Sequence, residues 1–208
     1  MKEVHLFVLD TMADWEPGFA VAHINRPMPG VESGFRVRTV GLDRTPIRSM
    51  GGLTIVPDVS LSEVSPSSSA MLILPGADLW GDAIIDPILS VAKEFVAAGV
   101  PVAAICGATL GLARAGLLDD RQHTGNHAGW LASSGYGGAA HFVQEPAVED
   151  RNVITASGMA SLEFARLILA RLGIFTARAL EAWYGLYKTG DPACYIELME
   201  ALGNGENG

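Results

Sequence analysis

The chain has 208 residues, 49% of them hydrophobic, which is enough for one ordinary domain with a substantial core. Its formal charge of −9, from 14 Lys and Arg against 23 Asp and Glu, argues against nucleic acid and anionic membrane surfaces as partners. Two cysteines lie far apart with no disulfide or zinc spacing, and no apolar run reaches spanning length, so a reduced cytoplasmic protein is expected, without metal or cofactor.

In chain order, Val4 to Leu9 reads as a first strand. Asp14 can cap and Pro17 suits a first helical turn, with Phe19, Ala20, His23 and Ile24 as the apolar side of a short helix. Phe35 to Val40 alternates and reads as a second strand near an edge. Pro46 to Val56 looks like a hairpin around Gly51 and Gly52. Ser65 to Ser69 is a short surface loop. Ala70 to Leu74 is a fully apolar strand closed by Pro75-Gly76-Ala77, and Pro87 to Ala98 a helix with Ile88, Val91 and Phe95 inward. Val102 to Ile105 is a buried central strand.

The helix after that strand carries Gly107, Gly111 and Ala115 at i, i+4, i+8, a nearly bare face that can approach the strands. Leu117 to His127 crosses the sheet, a loop follows at Ser133 to Gly138, and a weak strand is expected around Ala140 to Val143. Asn152 to Thr155 is the last clear strand. An amphipathic helix is expected from Met159 to Leu172, with Leu162, Ala165, Ile168, Leu169 and Leu172 inward. Two more helices span Thr176 to Tyr187 and Pro192 to Leu202. Alternating strands and helices imply a three-layer α/β/α sandwich, flavodoxin-like, with a mostly parallel sheet and ligands at the strands' C-terminal ends. We expect a single domain over residues 1–202, with 176–202 as added helices and 203–208 as a disordered tail.

Cys106 stands between a buried strand and a glycine-rich helix, the layout of a nucleophile elbow. The free N–H groups of a helix start favour its thiolate. A strand-end cysteine is also a common apolar filler, and that alternative stands until other residues bear on it. His123 and His127 are spaced i, i+4, but the intervening Thr-Gly-Asn argues against a helix and so against a metal pair.

Four stretches together resemble the DJ-1/PfpI superfamily, which has the class I glutamine-amidotransferase-like fold. They are Phe7-Val-Leu-Asp10 leading to Glu16, Leu74-Pro-Gly-Ala77, Ala104-Ile-Cys106-Gly, and Asn152 to Gly158 before a helix. The likeness ends near Gly173, so the last two helices fall outside the common core. It implies that Cys106 is the elbow cysteine, that Glu16 is the carboxylate hydrogen-bonded to it, and that the Ala77 and Gly107 N–H groups hold an oxyanion or the oxygens of an oxidised cysteine. Gly76, Asn126 and Trp15 would line the pocket; Trp80 and Trp130 wall it or serve core or dimer packing.

The departures matter equally. Gly107 follows the cysteine where the protease-like branch has histidine, and Asn126 stands where other branches have one, with His127 a step later. His127 is therefore either a general base or a structural loop histidine. The last histidine is His141, so an amidotransferase triad cannot be built. Three functions remain: a small-molecule amidase or hydrolase acting through Cys106, a cofactor-free 2-oxoaldehyde (glyoxalase-type) enzyme, and a non-catalytic redox or stress sensor. The partners implied are a small-molecule substrate or oxidant and, by resemblance, a second copy in a homodimer. In a shared desolvated space, Glu16 is expected to hold the proton and Cys106 to be the thiolate.

Overall fold

A computed structural model of the chain describes residues 1–28 and 30–203. Its elements are β1 (Lys2–Phe7), α1 (Gly18–Asn25), β2 (Phe35–Gly41), β3 (Ile47–Arg48), β4 (Thr54–Ile55), β5 (Val59–Ser60) and β6 (Ser69–Leu74). Then come α2 (Asp86–Ala97), β7 (Val102–Ile105), α3 (Gly107–Arg114), α4 (Ala128–Ala132), β8 (Ala147–Asp150), β9 (Val153–Ala156), α5 (Ser161–Leu172), α6 (Ala177–Thr189) and α7 (Pro192–Gly203). The expected tail lies outside the described residues except Gly203, which ends α7.

Among the described residues seven strands form one sheet in the order β5-β2-β1-β6-β7-β9-β8, parallel throughout except that β8 runs against β9. The mostly apolar runs of β6, β7 and β9 follow from their being covered on both faces: β7, β9 and the last four residues of β6 are buried throughout. Val102 to Ile105 are wholly buried, as are Met71 to Leu74. The chain winds outward from β1 to β2 in one direction and from β6 to β9 in the other. Right-handed crossovers therefore set α1 and α5, which pack together, on one face and α2 and α3, also in contact, on the other. The switch between β1 and β6 opens a crevice at the strands' C-terminal ends, where a doubly wound sheet binds ligands. The last two helices stack outward, α6 on α5 and α7 on α6. No helix among the described residues is long and apolar enough to cross a membrane.

Several local expectations change. Residues 140–143 are not a strand: a tight 3-10 turn occupies Ala139–His141, and only Phe142 makes a lone bridge to His123. The strand on that side is β8, whose edge position leaves its residues half-buried and removes the apolar signal. Asp14 does not cap α1; its carboxylate takes the Gly51 N–H at 2.6 Å and ties the β3–β4 hairpin to the loop after β1. The helix expected from Met159 starts at Ser161, leaving Met159 94% exposed. The bare face of α3 meets neither strand: Cβ atoms at Gly107 and Gly111 would lie 2.9 and 2.5 Å from the Trp80 indole, which fills the space. Trp80 is buried there with its Nε1–H on the Pro75 carbonyl at 2.8 Å.

Candidate active site

The site is built where the loops after β1, β6, β7 and β9 converge. Cys106 ends β7 and precedes α3 with φ 57° and ψ −122°. A side-chain-bearing residue in this region carries strain of about 1–3 kcal/mol, which persists only where the surroundings hold it. Here the Cys106 N–H bonds the Ala156 carbonyl at 3.0 Å. Its own carbonyl accepts the Thr109 N–H at 3.1 Å and the Thr109 hydroxyl at 2.6 Å. Strand and helix thus clamp the elbow from both sides and lift Sγ out of the packed sheet.

Glu16 is wholly buried beside that sulfur. Its Oε2 accepts the Gly76 N–H at 2.5 Å, and its Oε1 has no hydrogen-bond partner. The two glycines around it are required by space. A Cβ on Gly76 would lie 2.7 Å from Glu16 Oε2 and 2.7 Å from Cys106 Cβ. A Cβ on Gly158 would lie 2.8 Å from Sγ and 3.1 Å from Oε1. Only hydrogen fits at either position. Asn126 completes the setting, for its Oδ1 accepts the Gly158 N–H at 2.8 Å. That bond fixes the amide's orientation and turns Nδ2–H onto Sγ, 3.1 Å away.

Burial pushes the Glu16 carboxyl above its ordinary range, opposed by the Gly76 N–H and the contact with Cys106. Burial also pushes the Cys106 thiol up; the Asn126 bond pulls it down, an ionised Glu16 raises it, and the Gly107 N–H lowers it. The start of a helix therefore does not by itself make Cys106 a thiolate. Two acids share one desolvated space, and Glu16 shifts the balance: once it is neutral, its repulsion of the thiolate vanishes and the Asn126 and Gly107 donors are left to oppose burial.

The N–H groups of Ala77 and Gly107 are given to no carbonyl among the described residues, and a Cβ on Gly107 would lie 3.4 Å from the Ala77 nitrogen. The two donors therefore share one small space. His127 is exposed and caps α4, its Nδ1 accepting the Gly129 N–H at 3.1 Å; no hydrogen bond joins it to Cys106 among the described residues. His123 is buried with both nitrogens engaged, on the Arg121 carbonyl at 2.8 Å and the Tyr136 hydroxyl at 2.9 Å. Trp15 stands 54% exposed by Met50 and Leu53 of the hairpin, and Phe19 packs on Trp183 and Tyr187.

Sequence reasoning left out Gly158 and Thr11. Thr11 adopts φ 65°, accepts the Asp78 N–H at 3.0 Å and so binds the β1 loop to the β6 loop. Gly158 was visible as the end of a motif, but nothing local tells which glycine approaches a sulfur.

Comparison with known proteins agrees with this geometry. The DJ-1/PfpI family profile matches residues 2–171. The chain is 41% identical over 205 residues to a Bacillus subtilis protein named "Uncharacterized protease YoaZ", covering 97% of this chain and 98% of that one. A thiJ/pfpI family protein from Bacillus anthracis superposes with a TM-score of 0.91 at 41% identity, over 96% of both chains. The DJ-1 superfamily protein Atu0886 from Agrobacterium tumefaciens gives 0.80 at 33% identity, over 90% of this chain and 97% of its own. An elbow cysteine, a buried carboxyl against it and a profile match over most of the sequence agree: the chain belongs to the DJ-1/PfpI family.

Proposed function

We propose that the protein is a cysteine-nucleophile enzyme that cleaves small amides or esters, with Cys106 as nucleophile and Glu16 as the acid and base. The observation that carries this reading is the wholly buried Glu16 carboxyl, one oxygen unpartnered, packed against the strained elbow cysteine. Burial pushes the Glu16 carboxyl up so that it holds the proton, and the Asn126 Nδ2–H and Gly107 N–H donors hold the sulfur as thiolate against the effect of its own burial. The thiolate attacks the substrate carbonyl, and the N–H groups of Ala77 and Gly107 donate to the oxygen on which charge develops. Glu16 then gives its proton to the departing nitrogen or oxygen, leaving an acyl thioester. Water attacks the thioester and loses a proton to the Glu16 carboxylate. The acid product leaves, and thiolate and protonated Glu16 are restored.

The setting behind the glycines favours a small substrate, and cleavage of folded proteins is not part of the reading, although relatives carry protease names. One observation favours a second reading. No histidine bonds the sulfur among the described residues, and a single carboxyl suffices to move a proton between the carbons of a 2-oxoaldehyde thiohemiacetal. Hydrolysis of an amide and ester panel, run beside methylglyoxal consumption for wild type and Cys106→Ser, separates the two. Neither activity, with selective oxidation of Cys106, would instead make it a sensor whose sulfinate the same donors stabilise. The protein would work in the cytoplasm as a homodimer; light scattering reads the dimer directly, and a clean monomer removes it.

A further inference from the structure

A cleft of about 360 Å³ shares Asn126 with the surroundings of the cysteine and is not used by the chemistry above. Its lining includes Asn126, the residue that donates to Sγ, with Ser157 and Met159, the two neighbours of Gly158. A molecule in the cleft therefore lies against a residue that also holds the sulfur. The lining carries formal charges as well, on Glu145, Glu163 and Lys188. Glu163 Oε1 accepts from Lys188 Nζ at 2.6 Å and from the Tyr184 hydroxyl at 2.9 Å, and Oε2 has no side-chain partner. The Lys188 ammonium helps hold the Glu163 carboxyl below its ordinary range against the effect of burial, so it stays ionised. Glu145 adds an exposed carboxylate with no ion pair among the described residues.

We infer that this cleft binds the part of the substrate beyond the reacting carbonyl, and that it selects a small carbonyl compound bearing an ammonium group. Two carboxylates and one lysine line the cleft, so it keeps one uncompensated negative charge, and the Glu163–Lys188 pair fixes one of the two acids in place. Lys188 lies on α6, beyond residues 2–171 matched by the family profile. The helices outside the common core thereby contribute directly to substrate choice. The inference rests on Cys106 being the reacting group, not on hydrolysis being the reaction.

The test uses small methanethiosulfonates, one cationic (trimethylammonium) and one anionic (sulfonate), on full-length protein carrying Cys194→Ser. The thiolate attacks the thiosulfonate sulfur, a disulfide forms and methanesulfinate leaves, so labelling reads access to Cys106 without any turnover. The quantity followed is the ratio of the cationic to the anionic rate at physiological salt. Glu145→Gln should lower this ratio about threefold and Lys188→Gln raise it about threefold, as expected for one unit charge within a Debye length of the probe. Glu94→Gln, an exposed change on α2, makes the same change in net charge elsewhere and should leave the ratio as in the parent. If the two cleft variants behave like Glu94→Gln, the cleft is not the ligand's route and the inference falls. If the shifts appear but no amide or ester is cleaved, the inference holds and the proposed reaction fails. An unreactive Cys106 in the parent overturns both.

Discussion

Glu16 lies two residues before α1 and His23 in its last turn, and their buried polar atoms are settled in opposite ways. Glu16 has one oxygen bonded and one left without a partner. His23 has none left over: its Nδ1 donates to the Phe19 carbonyl at 2.8 Å, and its Nε2 accepts the Trp183 Nε1–H at 3.0 Å. The rings of Phe175, Trp183 and Tyr187 surround it. A buried polar group whose valences are all used is a fastening between elements, here α6 onto α1. One left half-used costs stability, about 1–3 kcal/mol for an unsatisfied buried atom, and remains available to a reacting partner. The difference separates a structural network from a chemical one within a few residues of sequence.

The largest expected effect is at the sulfur. Cys106→Ser should abolish turnover, and iodoacetamide should label Cys106 at least about a hundredfold faster than Cys194 at neutral pH, since the thiolate is the nucleophile. Cys194 packs against Gly185 between α6 and α7, where a Cβ would lie 2.8 Å from its sulfur. Equal rates by mass spectrometry would place both cysteines in the fastening class. Next comes Gly158→Ala, which puts a methyl group 2.8 Å from Sγ, closer than the two can sit. Labelling of Cys106 should fall at least about tenfold through loss of the Asn126 bond to a charged sulfur. Overpacking should cost about 1–3 kcal/mol as well. An unchanged rate would mean that the glycine floor does not touch the sulfur.

On the other side of the comparison, Trp183→Phe keeps an aromatic ring, smaller than the indole, and removes the N–H, leaving His23 Nε2 unsatisfied. Thermal unfolding should shift down by about 2–10 °C, from 1–3 kcal/mol in a chain of this size. Cys106 labelling should stay within about twofold of wild type. A parallel fall in both would show that the aromatic fastening also positions Glu16, and the two regions would no longer be separable.

How much of this was legible in the sequence follows from how locally each feature is encoded. β1, β6, β7 and β9 announce themselves because burial on both faces demands mostly apolar runs, tolerating only a bonded polar residue such as His5 or Thr155. The hairpin was legible from Gly51 and Gly52, since a turn's chemistry lies within the turn. β5 and β8 gave no such signal: one has two residues, the other lies half-buried at an edge. In the site, Cys106 was readable from a motif that places it directly after a strand, and Glu16 from one that places it in the loop between β1 and α1. The relation between Asn126 and His127 was not. They are adjacent loop residues, and which of them faces the sulfur depends on the Gly158 N–H, 32 residues away in sequence. Trp80 filling the bare face of α3 is equally non-local. Spacing shows that a face is small, not what will occupy it.

The smallest effect is also the one that most directly sharpens the contrast. Glu16→Gln keeps an acceptor for the Gly76 N–H and turns the orphaned oxygen's position into a donor, so the folded state should gain on the order of 1 kcal/mol at neutral pH. The sign follows from proton linkage. Below the ordinary carboxyl value of 4.5 the residue is protonated in both folded and unfolded chains, and wild type has its full stability from this group. As pH rises through 4.5 toward the raised folded value, the unfolded chain releases its proton first and wild-type stability falls. Glutamine does not titrate, so the variant's advantage in unfolding temperature should be near nil at pH 4.5, grow with pH, and level off once Glu16 ionises in the folded protein. Turnover should stop in the same variant while the thiolate, followed by its ultraviolet absorbance against pH, persists, because an N–H still faces Sγ. Glu16→Leu removes that donor and strands the Gly76 N–H, so the thiolate should weaken and stability drop together. If wild type and both variants titrate identically, Glu16 does not touch Cys106. Its unpartnered oxygen would then be a packing cost with no chemistry attached, and the difference from His23 would be one of degree.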